Sequence, residues 1–230
     1  GEDAAPEAMT PRVDILKSFN LDIVLTEFPS GEEAIRQFGT RKEFDRVLRA
    51  AIDDSDSTLF GSTNGTTGGI GYLRWGRKTF ANVRPARWRK GFQSPLKTPE
   101  AIDFVIVREN LEDLYMGVEG ELSELAPLSL MSSITRERLD TDEKGLFAIK
   151  AITESACKRI ARFAFELAGK RQRKRGTKGL VTCTSKYNML RKSDGLFRQI
   201  AEKTSKEYPR IGYEEYIVDL SLIHISEPTR

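Results

Sequence analysis

Histidine is almost missing from this 230-residue chain: the one present, His224, lies within the last eleven residues. A triad built on imidazole, or a metal site built on its nitrogens, has no residue to work with before that segment. Cysteine is nearly as scarce. Cys157 falls in a helical pattern and Cys183 in a strand pattern, which makes neither a zinc set nor a disulfide framework, and a reducing cytoplasm is the expected compartment. No apolar run approaches membrane-spanning length, and the chain opens on Gly1 without the basic start and apolar stretch of a secretory signal. With 37 basic against 34 acidic residues, a net charge of +3, there is no strong single-sign field. What remains is 39% hydrophobic, enough for one large domain or two small ones.

Taken in order, helical and strand patterns alternate. Pro6 and Pro11 each suit the first turn of a helix, and VDILKSF carries apolar residues at helical spacing, so a helix broken or kinked near Pro11 is expected. LDIVLTEF, residues 21–28, reads as a buried strand. Ser30 to Glu33 opens a short helix that Gly39 stops. Residues 41–54 are amphipathic, with Phe44, Val47, Leu48 and Ile52 on one side, and TLFGS, residues 58–62, reads as another strand. This alternation predicts an α/β fold. After Tyr115, MGVEGELSEL and LMSSITRERLDTDEKG predict hairpin-like and irregular structure. A long helix is expected from Glu143 to Lys170, its stripe formed by Ile152, Ala156, Ile160, Phe163, Ala164 and Leu167. The run KRQRKRGTK, residues 170–178, has the charge to hold an anionic surface, but no interleaved aromatics; it reads as a solvated helix end. GLVTCTS predicts a strand delivering Lys186, Ser193-Asp194-Gly195 starts a helix through Leu196, Ile200 and Ala201, and GYEEYIVD is a strand ending at Asp219.

The stretch from Arg74 to Tyr115 carries the chemistry. Arg84 follows Arg74 by ten residues after the β-type run Thr79 to Val83, and Arg108 ends the run Phe104 to Val107, which is too apolar for a surface strand. An arginine directly after a buried strand points out of the carboxyl edge of a sheet, where open α/β folds bind ligands, and its planar fork suits carboxylates. Singly, each arginine is a surface cation. Together they predict a place for a small di- or tricarboxylic acid, with the Tyr115 phenol able to pass a proton. NGTTGGIG, residues 64–71, lets backbone amides approach a ligand, but it lacks both the GxGxxG spacing and the lysine of a P-loop.

ANVRP followed by VRENLEDLY resembles the isocitrate and isopropylmalate dehydrogenases, metal-dependent β-decarboxylating enzymes that oxidise a 2-hydroxy acid with a nicotinamide cofactor. The resemblance covers nearly all of residues 1–219. It implies an isopropylmalate-dehydrogenase-like α/β fold: a mostly parallel sheet flanked by helices, plus a smaller α+β dimerisation region. Residues 1–100 would belong to the larger domain and residues 101–219 to a central substrate and dimerisation domain, with an intersubunit β-arm near 116–142. It further implies that Arg74, Arg84 and Arg108 clamp substrate carboxylates with Ile70 beside them, and that Asn64, Thr66, Thr67 and Asn188 contact NAD or NADP. KYN resembles the family's K-x-N motif, which makes Lys186 the catalytic lysine, and Asp219 falls where the family has its first Mg2+- or Mn2+-binding aspartate. Without the resemblance, Lys186 is a surface lysine and Asp219 a strand-end acid. In the implied reaction Lys186 accepts the C2 hydroxyl proton as hydride leaves, and Tyr115 protonates C3 after decarboxylation. A homodimer with sites shared between subunits is implied as well, with no nucleic acid and no membrane. Isocitrate-specific members carry serine and asparagine where Gly68 and Ile70 stand, so apolar Ile70 points to an alkyl-bearing malate such as 3-isopropylmalate. A tartrate- or malate-type enzyme is the alternative. A non-catalytic regulatory subunit would be expected to lose Tyr115 or Lys186, and both remain; a nucleic-acid binder built on residues 170–178 ranks lower still.

Both ends depart from the pattern. GEDAAPEA resembles the family's GDGxGPE loop, which follows a first strand that does not precede it here, and the family's GDxxSD segment and HGSAPD-type adenosine loop, where NAD is told from NADP, would lie past Asp219. An internal fragment, itself inactive, is the expectation. LSLIHISEPTR, residues 220–230, matches codon for codon the translation of a transposase adapter used in DNA sequencing libraries and is expected to be non-biological. Without Arg230 and Glu227 the counts become 36 basic and 33 acidic, and the net charge stays +3. The genomic sequence is expected to depart from these residues after Asp219; a genomic clone encoding the same eleven would overturn the adapter reading.

Overall fold

Threonine and glycine caps set several of the helix boundaries in this chain. The computed structural model describes residues 4–29, 31–61, 68–95 and 98–219; the chain divides into two units, Gly1–Thr79 and Phe80–Arg230. The segment 220–230 lies outside the described residues. In the first unit, α1 (Ala4–Ser18) runs through Pro11 as one element. A proline there removes one backbone donor, and the expected break does not occur. The α2 helix (Gly31–Phe38) stops at Gly39, whose φ of 79° suits glycine and whose N–H donates to the Ile35 carbonyl at 2.8 Å. Next, α3 (Arg41–Asp54) starts at Thr40, whose hydroxyl accepts the Glu43 N–H at 3.2 Å. Its inner face buries Phe44 and Ile52, and the Phe38 ring lies 5.4 Å from that of Phe44.

Two expected strands do not form. Residues 21–28 and 58–61 have no regular structure, and Leu21, Ile23, Val24 and Leu25 are exposed, Val24 to 93%. A strand exists through its ladder with a neighbour, and among the described residues of this unit there is none to pair with. The unit closes with a single helical turn, α4 (Gly68–Gly71), and a π-helical turn, Tyr72–Gly76. Tyr72 is fastened back to α3: its hydroxyl donates to Asp53 at 2.6 Å, and Arg49 lies over its ring at 5.3 Å.

Among its described residues the second unit holds three two-stranded sheets: β1 (Ala81–Arg87) antiparallel to β2 (Asp103–Glu109), β3 (Glu119–Glu121) antiparallel to β4 (Leu146–Ala148), and β5 (Leu180–Ser185) parallel to β6 (Gly212–Ile217). Parallel pairing is confined to the last pair among the described residues. β6 stops at Ile217, and Val218 and Asp219 turn helical, two residues short of the expected strand end. The long helix starts later than its apolar spacing indicates: residues 143–153 contain β4, and α5 spans Glu154–Arg175. Thr153 caps it, its hydroxyl accepting the Ala156 N–H at 3.2 Å, and Gly176 ends it at φ 67°. Short apolar runs such as Leu146 to Ile152 fit either period; pairing with β3 decided this one.

The core gathers around α5. Ala156, Cys157, Ile160, Ala161 and Phe165 are its buried residues, and Cys183 of β5 and Ile200, Ala201 and Thr204 of α6 (Ser193–Ser205) are buried as well. Phe165 is fully buried, stacked on Tyr208 with ring centres 5.3 Å apart. The helix's basic end is also used. Arg171 pairs with Asp103 of β2 at 3.0 Å and Arg175 pairs with the same carboxylate, and the hydrogen bonds from Arg175 and Arg171 hold that carboxyl below its ordinary range. Part of the basic run is thus a clamp between helix and sheet. Among the described residues no helix is long and apolar enough to cross a membrane.

Truncating Phe165 to alanine removes the largest fully buried side chain among the described residues. The expected loss is about 3–5 kcal/mol of unfolding free energy, measured as a lower urea midpoint with an unchanged slope.

Candidate active site

Strand register places the arginines of the second unit. Arg84 lies opposite Ile106 and Asn82 opposite Arg108, and residues two apart on a strand share a face. Asn82, Arg84, Ile106 and Arg108 therefore share one face, with the Arg84 Nε–H donating to Asn82 Oδ1 at 2.9 Å. The other face of β2 meets α5, where Glu109 pairs with Arg159 at 3.2 Å and Asp103 with Arg171. Arg84 is thus a mid-strand residue of an antiparallel ribbon instead of a strand-end residue, and Arg108 precedes the last residue of its strand. Nor is Phe104–Val107 buried on both sides: Phe104 and Ile106 are about half exposed, because a two-stranded ribbon covers only one face. The Arg108 guanidinium stacks over the Tyr115 ring at 4.9 Å. Its Nε–H is buried with no hydrogen-bond acceptor among the described residues, a costly state unless something else supplies one.

Tyr115 sits in a 3-10 turn, Leu114–Met116, that begins at a strained residue. Asp113 has φ 66° and ψ −144°, a conformation that costs a non-glycine residue about 1–3 kcal/mol. Three contacts hold it there. Its N–H donates to the Ala151 carbonyl at 2.8 Å, its Oδ1 accepts the Leu114 N–H at 2.7 Å, and its Oδ2 lies 3.3 Å from the Lys150 ammonium. Just upstream, the Glu112 carboxylate accepts both the N–H and the hydroxyl of Thr153 at 2.7 Å, and Glu109 accepts the Asn110 and Leu111 N–H groups. The acids of RENLED thus tie the Tyr115 turn to the start of α5.

Lys186 follows β5 as expected, and its ammonium is paired with Asp219. Its backbone N–H donates to Asp194 Oδ2 at 2.7 Å, while Asp194 Oδ1 accepts from Lys150 at 2.6 Å. Asp194 is only 7% exposed. Sequence reasoning missed Lys150 and Asp194. The available signal was Asp194 itself, which looked like a first-turn acid but follows a strand end by nine residues. Lys150 loses by desolvation and gains more from its hydrogen bond to Asp194 and from the two carboxylates, so its pKa is raised. Its charge is therefore present below the ordinary lysine range and lost only above it.

Asn188 is exposed in the turn after Lys186 and lines an open depression of about 410 Å3 with Tyr187, Arg191, Gly195, Arg198 and Gln199. In the first unit, Arg74 lies on the π-helical turn, over the Trp75 ring at 5.0 Å, and Ile70 is 40% exposed on α4. The glycines of Gly68–Gly71 wind into the helical turn that leads into the one carrying Arg74. Asn64, Thr66 and Thr67 lie outside the described residues. Asp219 is one carboxylate, and among the described residues no three His, Cys, Asp or Glu side chains come together to hold a metal. Alone it does not fit Mg2+, which wants about six oxygen ligands. Burial pushes both thiols, Cys157 and Cys183, up to about 11, so neither serves as a nucleophile.

The sequence profile of the isocitrate/isopropylmalate dehydrogenases matches residues 1–229, a range that takes in most of the 220–230 segment. A 3-isopropylmalate/3-methylmalate dehydrogenase of Methanocaldococcus jannaschii is 34% identical over 98% of this chain and 60% of its own length. An NADP-dependent isocitrate dehydrogenase of Rickettsia typhi is 31% identical over 96% of this chain and 41% of its own. The crystal structure of isocitrate dehydrogenase from Methylococcus capsulatus superposes with a TM-score of 0.62 at 26% identity, over 94% of this chain and 58% of that one. The chain thus spans about 60% or less of the length of each of these relatives. The cysteine assignment has a direct check. A thiol reagent at about pH 8 should label neither Cys157 nor Cys183 in the folded chain and both after denaturation; rapid native labelling would contradict their burial.

Proposed function

The chain belongs to the isocitrate/isopropylmalate dehydrogenase family, and from that premise we propose that the whole protein oxidises and decarboxylates a 2-hydroxy di- or tricarboxylic acid, with NAD or NADP as hydride acceptor and Mg2+ or Mn2+ as metal. The observation that carries the reading is the arginine face. Arg84 and Arg108 share one side of the β1–β2 ribbon, Arg108 stacks on Tyr115, and its buried Nε–H has no acceptor among the described residues. A substrate carboxylate is the group such forks take. The exposed, apolar Ile70 favours an alkyl-bearing malate over isocitrate.

In this reading Arg84 and Arg108, with Arg74, hold the substrate's carboxylates. Lys186, released from Asp219 and acting as the neutral amine, accepts the C2 hydroxyl proton as hydride leaves C2, which gives a β-keto acid. Loss of carbon dioxide breaks the C3–carboxylate bond and leaves an enolate, and Tyr115 donates the proton that C3 takes up. Bound nicotinamide supplies the hydride acceptor; Asn188, beside its open depression, and Asn64, Thr66 and Thr67 are the residues assigned to hold it. Asp219 is the residue this chain would contribute to the metal. We further propose that residues 101–219 form the substrate and dimerisation part, that the protein is a cytoplasmic homodimer, and that it binds neither nucleic acid nor membrane. With Arg171 and Arg175 committed to Asp103, the basic run has less charge free for a polyanion.

The test is an assay of the whole protein with 3-isopropylmalate, isocitrate, tartrate and malate, each with both cofactors and either metal. Lys186→Met should lower hydride transfer by more than about a hundredfold, and Tyr115→Phe should mainly slow enolate protonation. No turnover of any of the four acids would end the reading, and an unchanged hydride rate in the Lys186 variant would remove that lysine from it.

A further inference from the structure

We infer that Lys150 is a positioning residue that sets the Tyr115 turn and the Lys186 turn at once; its catalytic consequence rests on the proton-transfer roles proposed above. Its ammonium lies between two carboxylates on distant stretches of chain, 2.6 Å from Asp194 Oδ1 and 3.3 Å from Asp113 Oδ2. Each carboxylate uses its other oxygen on a backbone N–H at the start of a functional turn. Asp194 Oδ2 accepts from Lys186 itself at 2.7 Å, and Asp113 Oδ1 accepts from Leu114, the residue before Tyr115, at 2.7 Å. One cation therefore orients two acceptors, each of which orients the backbone of a residue assigned to move a proton.

Both ends of the bridge depend on the cation. Asp194 is 7% exposed, and a buried carboxylate that loses its counter-charge leaves an unpaired group. Asp113 keeps a backbone conformation unfavourable for any side chain, φ 66° and ψ −144°, which persists only while its neighbours over-determine it. Lys150 follows β4, and the Asp113–Ala151 bridge fixes its own position. The three groups form a strut between two turns, with the Lys150 side chain 26% exposed, that of Asp194 9% and that of Asp113 43%.

The experiment compares Lys150→Met, Lys150→Gln and Lys150→Arg in the 230-residue chain by amide hydrogen exchange, and in the whole protein by turnover. The neutral variants should speed exchange at both Leu114 and Lys186 by about tenfold or more, while Cys183 on the β5–β6 ladder stays protected. Lys150→Arg, which restores a cation, should recover most of the protection. In the whole protein the neutral variants should lower kcat by about tenfold or more and change KM for the hydroxy acid by less than about threefold, because the backbone of Arg84 and Arg108 is held by the β1–β2 ladder. Should Lys150→Met fail to fold, Lys150→Gln, which is one atom shorter than lysine and keeps a neutral donor, decides the question. Unchanged exchange at either turn, or equal loosening of Cys183, would overturn the inference. Exchange is read without substrate, so loosened turns in a protein that turns over no hydroxy acid would sink the proposed function and leave the strut standing.

Discussion

A buried carboxylate, Asp194, holds the second unit's functional end together. It sits in the first turn of α6 and spends one oxygen on the Lys150 ammonium and the other on the N–H that opens the Lys186 turn. A carboxylate so placed is stable only if both lone-pair directions are met and its charge is balanced, and both conditions are satisfied by groups from other segments. The chain leaving β5 is thereby made to turn where Lys186 stands.

The same logic runs along α5. At its start Thr153 caps the helix and is itself gripped by Glu112, and within the next two turns Arg159 reaches Glu109. At its end Arg171 and Arg175 converge on Asp103 at the opposite end of β2. β2 is thus pinned to the helix at both ends by charge, and Phe80, just before β1, meets Phe163 of the helix edge-on at 5.9 Å. Pinning one face of the ribbon leaves the other for Asn82, Arg84 and Arg108. Exposed ion pairs contribute little individually, about 0–1 kcal/mol each; here they select which face carries the arginines. Cations that read as a solvated helix end in the sequence are partly spent on this selection.

How much was legible depended on whether a signal was local. The α3 helix, with Phe44 and Ile52 on one side, was readable to the residue, and the β5 strand, the start of α6 and the delivery of Lys186 after a strand were legible too, because caps, turn glycines and apolar periods act within a few residues. Residues 21–28 and 58–61 have the composition of strands and lack the partner that would make them so. Leu146 to Ile152 has a period that fits a helix, yet β3 claims part of it. Lys150 drew no attention in the sequence because nothing local distinguishes it from any other lysine.

The sequence by itself determined the class of fold, the family and the residue types available for chemistry: one histidine at the very end, two cysteines without spacing, arginines after β-type runs, a tyrosine and a lysine in family-like motifs. Those follow from composition and short-range pattern. Only the tertiary structure decided that Arg84 and Arg108 share a face, that Tyr115 lies under Arg108 and behind a strained Asp113, that Lys186 pairs with Asp219, and that Lys150 joins the two turns. Strand register, burial and the closure of ion pairs across 44 residues, from Lys150 to Asp194, are properties of chain segments meeting in space, and no window along the sequence contains them.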